Sequence, residues 1–519
     1  MLRLKAPVGN GEVLAVPGFD EIPRLVEENR RRLDRDDVKI AGLPLRELRA
    51  QARREVLDEA WQYARWEGFG RDRPEPLCDG PLLLAGHQPE LAHPGVWVKN
   101  FALNGLARKL GGTPLHLIVD NDTLKTTSLR FPVFRAHDPA SVHLQSVALD
   151  RPPAGLPYEY ALVQDEGLFA SFAERVAPLI RNWPFAPLLQ RIWPKVVAHQ
   201  MPWVGEKFTF ARRTLEQDWG GGNCELAVSH LTELESFACF VRQLLEDLPR
   251  FAGVYNAAVN RYRVTNRLRS DRHPVPDLVR KDDWLESPLW GQQHGGYHHA
   301  RRGRVFANAA GTKARVDDGP DAPIAEAIRN FCIRPRALTL TLFARVCLGD
   351  FFIHGIGGGK YDEVTDAIIR DYFGIEPPAY QVLSATLHLP LPGFPATADD
   401  VKQAERRVRD LIWNPQRHLS PADRDNPEVQ SLLAAKAALA ANEPPVADHA
   451  ARRNWFRDLQ RVTARLGPFV AGQLRDAEAA LARTRAEARA NAILLRRDYS
   501  WVLYPEETLK PFLQQFLNQ

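Results

Sequence analysis

The stretch PLLLAGHQPELAHPGVWVKNFALNGLARKLGGTPLHLIVDNDTLK, residues 81–125, decides the fold of this chain. A short apolar run at residues 82–84 is bounded by turn residues, which is typical of a buried parallel strand. Apolar residues then recur at helical spacing over residues 96–110, and two glycines end that helix. A second strand over residues 115–119 stops at Asp120. The stretch therefore predicts a βαβ unit, and with it an α/β fold built on a parallel sheet.

Length and composition set the class of the protein. A chain of 519 residues is too long for one compact core and predicts two to four domains. Its 68 basic and 64 acidic residues nearly balance, which gives no reason to expect a nucleic acid partner. No apolar run approaches the roughly 18 to 20 residues that span a bilayer, and the N-terminus lacks a signal-peptide core. We therefore expect a cytoplasmic protein with no membrane partner.

The composition changes along the chain and predicts its domains. The expected parts are an N-terminal helical lead-in at 1–78 with a linker at 67–79, a core at 79–395 with an inserted connective region at about 150–330, a helical coiled-coil arm at 396–500, and a C-terminal tail at 501–519 that docks on the core. The arm carries an apolar seam of Val462, Leu466, Val470, Leu474, Ala477 and Leu481. A seam of this period favours a coiled coil, which a monomer would leave partly exposed, and hence a homodimer.

The loop after the first strand is the first candidate site. Its polar and glycine residues are Gly86, His87, Gln88, His93, Gly95 and Lys99. Histidines before a helix can stabilise charge on a phosphate or an acyl adenylate, and the helix N-terminus adds N–H donors. Lys99, one turn into the helix, is expected to stay hydrated and to reach the same anion. The alternative interpretation is a tight turn with polar caps.

Two carboxylates follow the second strand. Asp120 and Asp122 can bind a substrate amine, a ribose or magnesium. Asp and Asn also favour turns for local reasons. Because ligands of open α/β sheets bind at the carboxyl ends of strands, this pair is expected to face the same cleft as the first loop.

A glycine-rich stretch, HGIGGGKYD at residues 354–362, is the third candidate. It follows a short apolar strand and precedes a helix predicted at 363–373, so it is interpreted as an anion-binding loop. It is not a P-loop, because Tyr361 stands where that motif needs Ser or Thr. No metal site is predicted. The clustered histidines 294, 298 and 299 lie among glycines without a carboxylate at useful spacing.

These motifs together resemble a known family. AGHQPELAHPGVWVKN and LHLIVDNDTLK resemble two blocks of the putative cysteine ligase family of bacillithiol biosynthesis, and IRPRALTL with FFIHGIGGGKYD resembles a later block. His87 stands where the family has glutamine, and Asn121 stands where it has histidine. The resemblance implies a Rossmann-like core related to nucleotidyltransferases, inserted connective domains, and a coiled coil used for dimerisation.

The resemblance also implies an activity. The family's reaction adds cysteine to an amino-sugar malate, so this chain is expected to be a ligase that joins an amino acid to a small-molecule thiol precursor. The catalytic candidates are His87, His93, Lys99, Asp120 and Asp122. The cofactor-binding candidates are Gly86, Gln88, Gly95, Arg334, His354, Gly357, Gly358, Lys360 and Tyr361. ATP or ADP with magnesium is the candidate cofactor. A nucleotidyltransferase and a non-catalytic coiled-coil assembly protein remain the alternatives.

Overall fold

The structure is a computed structural model that describes residues 4–66, 68–69, 80–153, 155–292 and 302–519. Cys78, nearly all of the predicted linker at 67–79, and the three clustered histidines lie outside the described residues. The chain divides into two units. The first comprises Met1–Phe131, Ser146–Pro390 and Arg497–Gln519, and the second comprises Pro132–Gln145 and Leu391–Arg496.

The strands of the described residues are numbered in chain order. They are β1 (Val13–Val16), β2 (Lys39–Ile40), β3 (Leu43–Pro44), β4 (Leu82–His87), β5 (Thr113–Ile118), β6 (Ser128–Val133), β7 (His143–Ala148), β8 (Cys224–Ala227), β9 (Arg280–Lys281), β10 (Trp284–Gly291), β11 (Gly303–Asn308), β12 (Lys313–Val316), β13 (Ala322–Pro323), β14 (Arg334–Pro335), β15 (Phe351–His354) and β16 (Tyr380–Ala385).

The central sheet belongs to the first unit and has the strand order β1-β16-β15-β4-β5-β8. β1 is antiparallel to β16, and the other five strands are parallel to their neighbours. Counted along the chain, these five lie in the order 3-2-1-4-5. The order reverses between β4 and β15, so the chain leaves the sheet there towards both faces. The α/β prediction with a mostly parallel sheet is confirmed.

The helices of the first unit are numbered in chain order. They are α1 (Ile22–Leu33), α2 (Leu45–Trp66), α3 (Pro94–Lys109), α4 (Glu166–Ala170), α5 (Phe172–Val176), α6 (Leu188–Ala198), α7 (Val204–Asp218), α8 (Val228–Leu231), α9 (Glu235–Glu246), α10 (Leu248–Thr265), α11 (Ile324–Asn330), α12 (Ala337–Leu342) and α13 (Ile356–Ile368). The C-terminal helix α19 (Glu506–Gln514) also belongs to this unit.

The two faces of the sheet carry different helices. Leu82 and Leu84 of β4 share one buried cluster with residues of α2, α9, α10 and α13. Alternate residues of a strand point to opposite faces, so Leu83 and Ala85 face the other side, where α3 packs against β4, β5 and β16. The burial of both faces explains why β4 is an unbroken apolar run rather than an alternating one.

The predicted helix after β4 is α3, and its ends have local causes. Pro94 at the first helical position is preorganised for the start, and the preceding His93 caps it. After Lys109 the chain reverses through Gly111, whose φ of +60° is accessible to glycine without strain.

The N-terminal region and the C-terminal tail contribute to the first unit. Residues 1–78, predicted as a helical lead-in, supply the edge strand β1 as well as α2, whose buried face joins the central cluster. The tail buries Trp501, Tyr504 and Phe516. Trp501 packs on Trp97 of α3 with ring centroids 4.9 Å apart. The inserted region holds a second, antiparallel sheet in the order β13-β12-β11-β10-β14, with β9 beside β10.

The second unit consists of helices, except for the end of β6 and the start of β7, which also belong to it. Its helices are α14 (Ala398–Trp413), α15 (Pro421–Arg424), α16 (Pro427–Ala441), α17 (His449–Leu466) and α18 (Ala471–Leu494). Gly467-Pro468 lies in a 3-10 turn between α17 and the long helix α18. Of all the helices in the described part of the chain, none is both long and apolar enough to cross a bilayer.

Candidate functional site

The carboxyl ends of three neighbouring strands meet at one edge of the central sheet. β4 ends at His87 and lies between β5, which ends at Ile118, and β15, which ends at His354. His87 pairs with Ile118 in the ladder, so these strand ends are level. The three predicted site segments therefore leave the sheet at the same edge.

A crevice lies where the strand order reverses. The chain passes from β4 to α3 on one face and from β15 to α13 on the other. Open α/β sheets bind ligands at this position. Each helix N-terminus brings backbone N–H groups that have no acceptor within the helix. We call residues 86–99 and 354–360 the switch-point crevice.

His93 and Gly95 shape the start of α3. Nδ1 of His93 accepts a hydrogen bond from the Gly95 backbone N–H at 3.1 Å. A Cβ at Gly95 would lie 2.0 Å from the carbonyl oxygen of Ala385, so only glycine allows α3 to approach β16 this closely. Arg497 donates to the Ser384 hydroxyl and to the Ala385 carbonyl, both at 2.8 Å. The tail thus brings a guanidinium to the start of α3.

Lys99 is buried rather than hydrated. Only 2% of its surface is exposed, and its Nζ donates to the Gly86 carbonyl at 2.9 Å. Burial lowers the pKa of Lys99 to about 8. The expectation of a hydrated side chain is wrong because Lys99 lies on the face of α3 that packs on the sheet. Its ammonium is nevertheless held at the end of β4.

The two crevice histidines are neutral at neutral pH. Burial, together with the nearby Lys99 charge, lowers the pKa of His87 to about 3. Burial and the Arg497 charge lower the pKa of His93 to about 4. A neutral imidazole can offer a hydrogen bond to a phosphate but no positive charge. The charge on the α3 side of the crevice therefore comes from Lys99 and Arg497.

The glycine-rich stretch after β15 forms the first turn of a helix instead of the predicted loop. Gly355 is the N-cap of α13, and Gly357 and Gly358 are exposed in its first turn. Among the described residues, no atom lies within 4 Å of a Cβ built at Gly357. A Cβ at Gly359 would lie 2.3 Å from Cγ2 of Val382. Packing on β16 thus requires glycine at 359, whereas the space beside Gly357 is open.

His354, the last residue of β15, is buried beside an acidic residue of α13. Its Nε2 lies 2.8 Å from Oδ2 of Asp362, and Arg345 Nη1 donates to the same oxygen at 2.6 Å. Burial opposes ionisation, but Arg345 and His354 hold the pKa of Asp362 well below its usual range. Asp362 therefore fixes the ring of His354. Lys360 is exposed, and Tyr361 packs partly buried against the central cluster.

The two carboxylates after β5 point to different neighbours. Asp122 Oδ2 accepts a hydrogen bond from Gln88 Nε2 at 2.7 Å, so it joins the loop that follows β4. Asp120 accepts from the Ser229 backbone N–H at 2.9 Å and from the Ser229 hydroxyl, beyond the end of β8. Only Asp122 contacts the switch-point crevice directly.

Asp120 lines a cavity of about 830 Å³ beside the ends of β5 and β8. We call it the carboxylate cavity. Its acidic lining residues are Glu59, Asp120, Glu159, Glu206 and Glu233. Its aromatic lining residues are Tyr63, Trp66, Tyr158, Tyr160 and Trp203. Pro89, in the loop after β4, also lines it, so the carboxylate cavity borders the switch-point crevice.

Arg334 belongs to the carboxylate cavity and is matched by acidic side chains. Its Nε lies 3.0 Å from Glu159, and its Nη1 lies 2.9 Å from Glu233. Burial opposes its charge, but these carboxylates hold the pKa of Arg334 above its usual range. Burial raises the pKa of both Asp120 and Glu159. The structure therefore places Arg334 with Asp120, apart from the glycines of α13.

Several residues of this region carry no sequence signal. Three residues come from segments distant along the chain and lie in no recognisable motif. They are Glu159 and Ser229 in the carboxylate cavity and Arg497 at the switch-point crevice. Their contacts arise only when the sheet and the tail assemble. Glu159 alone could have been suspected, because it lies between two aromatic residues in a stretch rich in turns.

No group of three or more His, Cys, Asp or Glu side chains in the described part of the chain is arranged to hold a metal ion. No protein-family model matches the chain, and no curated protein matches it.

Proposed function

We propose that this chain is an enzyme of the cysteine-ligase type that activates a carboxylic acid with a nucleotide and passes the acyl group to an amine. The observation that carries the proposal is the strand order 3-2-1-4-5, which brings the loop after β4 and the first turn of α13 to one crevice. Rossmann-type nucleotide-binding domains have this order, so the proposal includes a Rossmann-like core. The resemblance to the bacillithiol ligases supports the same reaction.

The switch-point crevice would hold the phosphates. The N-termini of α3 and α13 supply N–H donors and the positive ends of two helix dipoles. Lys99 and Arg497 add charge. His93, whose Nδ1 accepts from the Gly95 N–H, can donate a hydrogen bond from Nε2. The open space beside Gly357 allows a phosphate to approach the backbone. ATP or ADP fits this donor set, and magnesium would come with the phosphates, as it does where proteins supply only one or two ligands.

The carboxylate cavity would hold the amine. An ammonium group is attracted by carboxylates and by the faces of aromatic rings, and the cavity supplies both. The amine nitrogen attacks the activated acyl carbon, and the bond from that carbon to the phosphate oxygen breaks. Asp120 or Glu159 takes the amine proton, because burial raises the pKa of both groups towards the range of a general base.

The substitution Gly357→Asp tests the nucleotide site. It places a negative charge in the first turn of α13, where an acidic side chain stabilises a helix by about 0.3 to 1 kcal/mol. The fold is therefore kept, while a phosphate is repelled from the same N–H groups. We expect at least about tenfold weaker binding of ATP by calorimetry, with an unchanged or higher melting temperature.

The matched control is Gly357→Ala, which adds a methyl group to open space without charge and should bind ATP within a few-fold of the natural chain. Equal ATP affinity in the Asp variant, or no ATP binding by the natural chain, would contradict the proposal. Pyrophosphate or phosphate release that needs both an amino acid and an amine acceptor indicates the ligase. Release with one substrate alone indicates the nucleotidyltransferase alternative.

A further inference from the structure

A second cavity lies at the opposite edge of the central sheet. It has a volume of about 540 Å³ and is bounded by α1, α2 and the amino ends of β4, β5 and β15. Six arginines line it: Arg30, Arg31, Arg46, Arg49, Arg53 and Arg54. Three lining carboxylates, Glu27, Asp34 and Asp350, oppose them. We call it the arginine cavity. It is remote from the switch-point crevice, because the two lie at opposite ends of the same strands.

The inner arginines are fixed by the fold. Arg49 donates to the carbonyls of Val346 at 2.7 Å and Gly349 at 3.0 Å, and it pairs with Asp350 at 2.8 Å. Arg53 pairs with the same carboxylate. Asp350 also accepts from the Leu82 backbone N–H at 2.9 Å. These contacts anchor the floor of the cavity to the start of β4, so it does not depend on mobile side chains.

Two of the outer arginines, Arg31 and Arg54, have no such partner among the described residues. Arg31 of α1 and Arg54 of α2 are exposed, and within the described residues neither forms an ion pair or a hydrogen bond. Arg46 is held by Asp34 at 2.6 Å. Two guanidinium groups from different helices thus face one cavity without a partner carboxylate. Like charges gathered this way repel each other, and a bound anion would relieve the repulsion.

We infer that the arginine cavity binds a small polyanion with a di- or triphosphate group. A guanidinium offers a planar pair of donors that matches two phosphate oxygens. The positive excess is spread over α1 and α2, so an anion that bridges both helices needs more than one charged group. A free polyphosphate and a nucleotide share this chemistry.

Calorimetric titration of the intact chain with sodium tripolyphosphate tests the inference. The double substitution Arg31→Ala/Arg54→Ala should weaken binding at least about tenfold, which corresponds to about 1.4 kcal/mol. The control Arg130→Ala/Arg269→Ala removes the same charge from exposed arginines outside the cavity and should leave the affinity unchanged. Asp34→Asn removes one of the two carboxylates that pair with Arg46, the other being Asp36 at 3.2 Å, and should tighten binding. All variants should melt close to the natural chain, because the substituted residues are exposed.

The same titrations separate this cavity from the switch-point crevice. The loss caused by the Arg31/Arg54 pair should be the same with and without Gly357→Asp. A parallel titration with ATP identifies the source: sensitivity of ATP binding to the arginine pair indicates a nucleotide, and insensitivity indicates a free polyphosphate. Absence of tripolyphosphate binding near 0.1 M salt, or equal affinity of the arginine pair and its control, would overturn the inference.

Discussion

Lys99 shows how one buried charge links the crevice to the stability of the protein. The sequence identifies it as a lysine one turn into a helix, and position alone suggests a side chain that reaches solvent. In the folded chain it lies against the sheet with its ammonium on the Gly86 carbonyl. Burial takes the ammonium out of water and so favours its neutral form, which lowers the pKa of Lys99 to about 8. Burial of this kind is common at sites that use the charge.

This burial predicts a pH dependence of stability. Between about pH 8 and pH 10.5 the unfolded chain keeps the Lys99 proton while the folded chain has lost it. The unfolded state therefore binds more protons, and the free energy of unfolding rises with pH, by up to about 1.4 kcal/mol per pH unit. Lys99→Met keeps the stem and removes the titration. We expect the stability of the natural chain relative to Lys99→Met to rise from about pH 7.5 to about pH 9.5.

Urea unfolding of both proteins at the two pH values measures this difference. All other titrating groups are shared and cancel in the comparison. A difference that stays constant with pH would show that Lys99 is not charged and buried as described. ATP binding by Lys99→Met at neutral pH supplies the functional half of the test, because the proposed role requires the charge near the phosphates.

At the scale of elements, the sequence predicts those strands and helices that follow from the local pattern of apolar residues and glycines. Apolar periodicity and glycines predict the βαβ unit, and it is present as β4, α3 and β5. The position of the glycine-rich stretch, after a short apolar strand and before a predicted helix, favours an anion-binding loop. In the structure the stretch begins α13, and glycine is required at position 359 because a Cβ there would collide with Val382 of β16. Contacts of that kind are set by strands far along the chain and have no local signature.

The same geometry predicts opposite effects for two neighbouring glycines. Gly359→Ala places a Cβ 2.3 Å from Val382 Cγ2, and overpacking of this kind costs about 1 to 3 kcal/mol. Gly357→Ala meets no described atom and reduces the flexibility of the unfolded chain, which stabilises a helix by about 0.5 to 1 kcal/mol. Chemical denaturation of the two variants beside the natural chain measures both shifts. Equal shifts would mean that α13 does not start at Ile356.

The sequence predicts only part of the candidate site, because some of its contacts also come from segments far along the chain. The three segments were expected to converge from the rule for strand ends, and the sheet order brings them to one edge. The sequence could not show that Asp120 and Asp122 point apart, because Ser229 and Gln88, which orient them, come from other loops. The carboxylate cavity and the arginine cavity are likewise built from segments that meet only in the folded chain.

At the scale of the whole molecule, the apolar seam of the helical arm is less exposed than its sequence pattern predicts. The apolar seam was expected to stay partly exposed in a monomer. Leu466 and Val470 are instead buried in a cluster with Leu411 and Val429, supplied by α14 and α16 of the same unit. The sequence showed one face of α17 and α18, but it could not show that neighbouring helices cover that face. The seam therefore no longer supports a homodimer.

Other apolar residues of the second unit remain exposed. Trp413 at the end of α14 and Phe456 of α17 stack with ring centroids 6.2 Å apart, and each is 45% exposed. They line a groove of about 560 Å³ that also includes Leu433 and Leu459. Ile412 beside them is 45% exposed. Large apolar side chains that lie together on a surface are typical of an interface between proteins.

The family resemblance implies a homodimer, and this groove is our candidate for its interface. We expect light scattering of the intact chain to give the mass of a dimer, and Trp413→Ser/Phe456→Ser to give that of a monomer, because aromatic residues at the centre of an interface carry most of its energy. Val446→Ser is the control, since Val446 is 75% exposed but does not line the groove. A monomeric natural chain would exclude the dimer, and a double variant that still dimerises would place the interface elsewhere.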